Sequence, residues 1–131
     1  MAELRRAFDL PSDDRQYLDS LGIPWETIED DGHRWLLIAD HPLPEGYTTA
    51  AATLAIRIEG GYPPGKLDMV YFHPPLERRD GKAIRKVRQQ RIDSKPFQRW
   101  SRHYGWRDGV DDLSTHHTRI KKWLQDEPGR G

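Results

Sequence analysis

The residues between Trp100 and His117 have types and spacings that bear on chemistry. Trp100-Ser101-Arg102-His103 sets a hydroxyl and an imidazole two positions apart, which on extended backbone puts both on one face. A serine hydroxyl becomes nucleophilic when a base takes its proton, and histidine is the usual base. Asp112 and His116 stand four apart and share a face if the segment is helical. That carboxylate can orient the imidazole, or the two can join His73 and His103 around a metal. The structural alternatives are plain: Ser101 and His103 fixing a loop, Asp112 capping a helix, His116 in an apolar stripe. No HExxH or comparable ligand spacing is present and no GxGxxG or Walker-type loop exists, so neither a metal nor a cofactor is expected.

The 131 residues contain no cysteine. Thiol nucleophiles, thiolate-ligated zinc, iron–sulfur clusters and disulfides are therefore excluded. The 21 basic and 21 acidic residues cancel overall. They are unevenly placed, however: residues 1–60 hold twelve acids against five bases, a net of −7. Residues 78–102 hold ten bases, among them Arg85, Arg88 and Arg91, against Asp80 and Asp93, a net of +8. Such a segment suits an acidic partner, nucleic acid included, with Trp100, Tyr104 and Trp106 available for stacking. The structural alternative places those aromatics in the core. No apolar run approaches the roughly 20 residues that cross a bilayer, and the start lacks a signal-like stretch, so a cytoplasmic chain without membrane contact is expected.

The elements that must position these groups follow from periodicity. Ser12-Asp13-Asp14 predicts a helix start, with Tyr17, Leu18 and Leu21 on its apolar face and Gly22 then Pro24 ending it. Trp25 to Glu29 alternates with period two, Asp30-Asp31-Gly32 turns the chain, and His33 to Asp40 predicts a second strand. Residues 53–59 and 67–72 predict a third and fourth strand. From His73 to Lys95 no periodicity stands out beyond one short strand or helix within 84–92, which predicts a long loop, either functional or partly mobile. Residues 96–101 read as a short helix. Asp111 or Asp112 caps a last helix running to about Gln125. Residues 1–9 and 127–131 read as frayed ends. The sum is one α+β domain spanning 1–131, its core about 10–126: an N-terminal helix, a four-stranded antiparallel meander, a long loop and a C-terminal helix.

This order, Tyr62-Pro63-Pro64 before the fourth strand, and Trp106-Arg107-Asp108-Gly109-Val110-Asp111-Asp112 before the last helix resemble the E2 ubiquitin-conjugating (UBC) superfamily. The stretch from Phe97 through Leu124 is similar to its prokaryotic family E. The resemblance implies a UBC-like fold with an active-site loop. It also implies a ubiquitin-like β-grasp partner, of the multi-ubiquitin type, with E1-like and JAB-like proteins of the same operon as further associates. The departure is the missing thiol. Gly81-Lys82-Ala83-Ile84-Arg85 falls where a Gly-to-Cys segment would lie, Arg85 stands near the cysteine position, and no asparagine exists to polarise an acyl carbonyl.

Thioester chemistry is thus closed to this chain. The resemblance leaves a noncatalytic, pseudo-E2 adaptor, with Arg85, Arg88, Arg91, Trp100 and Trp106 as candidate partner-binding residues. The alternatives are an oxyester route, with Ser101 (or Ser94) as acceptor, His103 as base and Asp112 and His116 as candidate support, or a nucleic-acid-binding module using 78–102.

Overall fold

The computed structural model describes residues 3–58, 61–62 and 65–130. Helix α1 (Ser12–Ser20) precedes strands β1 (Trp25–Asp30), β2 (His33–Pro42), β3 (Ala51–Ile58), β4 (Val70–His73), β5 (Val87–Ile92) and β6 (Lys95–Trp100). Helix α2 (Leu113–Asp126) and a 3₁₀ turn (Glu127–Gly129) close the chain. The strands form one antiparallel sheet in the order β1-β2-β3-β4-β6-β5.

The α+β, UBC-like plan holds: N-terminal helix, antiparallel sheet, C-terminal helix. The sheet, however, has six strands where four were expected. The segment read as a short helix is β6, and it pairs with β5 inside the expected loop. Asp93 and Ser94 make the turn between them with φ of 54° and 63°, the left-handed pair that a two-residue hairpin needs. The Asp31-Gly32 turn has the same signs, φ 51° and 77°, and joins β1 to β2 as expected. Met69, at φ 59°, breaks the fourth strand, which starts at Val70 rather than at Leu67. Ser12 makes no capping bond; Pro11 occupies the cap position of α1.

One face of the sheet carries Leu36, Ile38, Leu54, Ile56, Val70, Phe72 and Trp100 against both helices, whose Leu18, Ile120 and Leu124 are buried there. The other face buries Ile28, Trp35, Leu37, Tyr71, Ile92 and Phe97, although among the described residues no helix covers it. The sheet curls instead, so that the β5–β6 turn reaches β1: the Asp93 amide donates to Asp30 Oδ2 at 2.9 Å. Arg5 fastens the closure, its guanidinium shared between Glu26 (3.0 Å) and Asp93 (2.8 Å). Residues 5–7 pair with β1, Thr27 donating to Arg5 O and Ala7 to Thr27 O. This start is ordered, against the frayed end expected from its composition.

A bulge in β2 decides what the helices meet. Asp40 takes φ 53° and the register with β3 shifts between Ile38 and His41. The extra residue turns His41 onto the helical face, where it meets His117 of α2.

Candidate functional site

The Trp100–His117 residues separate into two neighbourhoods. Ser101 follows β6 directly, half-buried, and its amide donates to Lys86 O at 3.0 Å. That bond draws the 78–86 segment against residues 101–103. Between them lies a cleft of about 540 Å³ lined by Arg78, Arg85, Lys86, Ser101, Arg102 and His103, together with Glu127 and Arg130. The cleft therefore sits on the segment that stands, by sequence, in place of a thioester loop. Glu127 is the single carboxylate lining it among the described residues.

Ser101 and His103 thus share a cleft but no hydrogen bond joins them. His103 is exposed, and its Nδ1 faces the Asp68 carboxylate at 2.8 Å. Asp68, the residue that orients this imidazole, was not among the candidates; nothing in its local sequence distinguishes it from a solvated acid before a strand.

Asp112 and His116 lie in the second neighbourhood and serve the fold. Asp112 caps α2, accepting from the Thr115 amide at 3.1 Å, while its own amide donates to Thr115 Oγ1 at 2.9 Å. His116 is completely buried. Its Nε2–H donates to Met69 O at 2.9 Å, which leaves Nδ1 to accept from the Tyr104 hydroxyl at 2.8 Å. Burial, the largest influence, holds the imidazole down to about 4, so it is neutral at pH 7. Tyr104, Trp106 and Trp123 surround it with ring centroids 5.6 to 6.5 Å away. Among the described residues no group of three or more His, Asp or Glu is placed to hold a metal ion, and His73 is turned away to donate to Pro96 O.

Two further histidines form a buried chain. His41 Nδ1–H donates to Pro42 O, so its Nε2 accepts from His117 Nε2–H at 2.7 Å, and His117 Nδ1 accepts from Tyr17 OH at 2.6 Å. With both rings neutral every polar atom of this buried chain has a partner. Desolvation lowers both, His117 to about 3 with help from its neighbour His41.

The candidate partner-binding residues divide by exposure. Arg85, Arg88 and Arg91 are on the surface. Trp100 is fully buried, stacked edge-on with Phe72 and donating Nε1–H to Gln98 Oε1. It is a core residue because β6 is a central strand, and a partner cannot reach it. Trp106 is half-buried beside Tyr62 and Tyr104, its Nε1 a buried donor without a partner among the described residues.

The basic segment is tied into the fold at one point. Arg78, with 3% of its side chain exposed, grips Asp80 at 2.6 Å, Glu127 at 3.1 Å and the carbonyls of Pro128 and Arg130. Glu127 also meets Arg102 at 3.1 Å. The chain end read as frayed is therefore held by a buried ion network. Tyr62 anchors the other landmark, its hydroxyl donating to the buried Asp14 of α1 at 2.6 Å. Burial, more than that bond opposes it, raises the Asp14 carboxyl above its ordinary range. Pro63 and Pro64 lie outside the described residues.

The family model described as Prokaryotic E2 family E matches residues 10–127. No curated protein and no solved structure matches. The chain belongs to prokaryotic E2 family E. It is a member without a cysteine.

Proposed function

We propose that this protein is a noncatalytic, pseudo-E2 adaptor of a ubiquitin-like conjugation system, holding a ubiquitin-like β-grasp partner without a covalent bond. The observation that carries the reading is the cleft at the loop position. It presents Arg85, Lys86, Arg102 and Arg130 and no thiol, so it attracts an anionic chain end but forms no thioester. E1-like and JAB-like proteins of the same system are its further proposed associates.

The test is co-purification with a ubiquitin-like β-grasp protein, in the cytoplasm of a cell making both. Retention at micromolar concentration with no covalent adduct supports the adaptor. Absence of any complex removes it.

A second reading has its own observation: Ser101 and His103 line one cleft, and Asp68 orients the imidazole. Here Ser101 Oγ would attack an activated acyl carbonyl, its proton passing to His103 as the activating group leaves. With the E1-like protein present, a hydroxylamine-labile adduct that disappears in Ser101→Ala and His103→Ala would establish the oxyester route and overturn the adaptor.

A further inference from the structure

Strand β5 is paired on one side only. β6 occupies its inner edge, and among the described residues nothing occupies the other. The edge of β1 is by contrast covered by residues 5–7. The two-residue turn fixes the hydrogen-bonding phase of the β5–β6 hairpin: Ile92↔Lys95, Gln90↔Phe97 and Arg88↔Arg99 are the bonded pairs. Val87, Gln89 and Arg91 then direct their amides and carbonyls outward. Two facts agree with this phase. Pro96, which has no N–H, stands opposite Arg91 in a non-bonded pair, and the Ser101 amide reaches Lys86 O one step beyond the Val87↔Trp100 pair.

The charge along this edge says what fits it. Arg88 and Arg91 are exposed on the strand, and Arg85 and Lys86 precede it with no carboxylate among them. A second copy of the chain would bring four more cations to the same seam, so self-pairing is opposed. An extended acidic chain is attracted. Its direction follows from the cleft. A strand antiparallel to β5 runs from Ile92 towards Val87 and ends at Arg85 and Lys86, where a terminal carboxylate is favoured. A parallel strand would put that carboxylate at the Ile92 end, away from those cations.

We infer that the β5 edge receives the acidic C-terminal tail of a partner as an added antiparallel strand, its terminal carboxylate lying in the Arg85–Lys86–Arg102 cleft. The inference rests on the adaptor reading and specifies how the partner's tail is held.

The test uses the full chain and a short synthetic peptide of alternating glutamate and valine ending in glycine, as free acid and as C-terminal amide. The free acid should bind and slow hydrogen exchange of the Gln89 and Arg91 amides. Amidation, or Lys86→Glu, should weaken binding by about tenfold through loss of a charge-assisted contact. Gln89→Pro removes an outward amide that the sheet does not use, so it should fold and lose binding. Should it not fold, Arg91→Glu, on an exposed position, should show the same loss. Equal binding of acid and amide, or unchanged exchange at Gln89 and Arg91, overturns the inference. A ubiquitin-like partner retained equally with and without its tail overturns the tail placement and leaves the adaptor standing. Binding of the peptide as described, with no such partner retained, supports the tail site and removes the adaptor.

Discussion

At the scale of single residues, the histidines divide by what their ring nitrogens meet. His103 meets solvent and Asp68; His116 and His117 are buried, where the water that would hydrate a charged ring is excluded. The unfolded chain takes up protons on these rings near about 6.5. The folded chain keeps them neutral down to about 4 for His116 and about 3 for His117. The folded state therefore binds fewer protons within that window. Stability is full above the unfolded value and falls as the pH drops towards the folded ones, by at most about 1.4 kcal/mol per pH unit for each ring. Urea midpoints measured at about pH 7.5 and about pH 5 should differ accordingly, and His117→Asn should flatten the slope. Equal midpoints in the parent would refute the assignment. At this scale the sequence was partly legible. Asp112 as a cap and His116 in the α2 stripe could be read from spacing, because a helix repeats regularly. The partners Asp68, Met69 and Tyr17 could not, since β4–β6 pairing and the packing of α2 against α1 and the segment before β4, not spacing, bring them there.

At the scale of elements, legibility followed turn chemistry. Asp31-Gly32 announced β1 and β2 because glycine is the usual occupant of a left-handed turn position. Asp93-Ser94 makes the same kind of turn without glycine, so the β5–β6 hairpin was invisible and its second strand read as a helix. The hairpin is nonetheless integral: Trp100 and Phe97 at its centre are 0% and 1% exposed. Trp100→Ala should cost about 3–5 kcal/mol, seen as a lowered urea midpoint. A loss below about 1 kcal/mol would show that β6 is not part of the cooperative core. Asp112→Ala should cost only about 1 kcal/mol, the usual value of one helix cap, with the sheet's circular dichroism intact.

At the scale of the whole molecule, the net charge of zero conceals an acidic half and a basic segment. The structure ties that segment's Arg78 and Arg102 to Glu127, while Arg85, Lys86, Arg88 and Arg91 face outward. A nucleic-acid role for 78–102 makes a distinct prediction. Binding of a short duplex would fall steeply with salt as counterions are released, by about three decades between about 50 and 200 mM if six phosphates are engaged. A protein partner held partly by backbone pairing should lose far less over that range, so a fluorescence titration at two salt concentrations separates the two. The global plan of helix, antiparallel sheet and helix could be read from the sequence, because α1, β1–β3 and α2 each carry a regular apolar period. Its curl could not, since that depends on Arg5 meeting residues 21 and 88 positions away.

That last contact has a practical corollary. The family match begins at residue 10, whereas the guanidinium that latches the hairpin to the opposite border belongs to Arg5. A fragment cut to the recognisable segment would keep every landmark of its family and lose the clasp. Its Ile92 and Phe97 would lie under an unfastened flap, open to proteases and to neighbouring molecules, and a stray precipitate would then report the trimming rather than the protein.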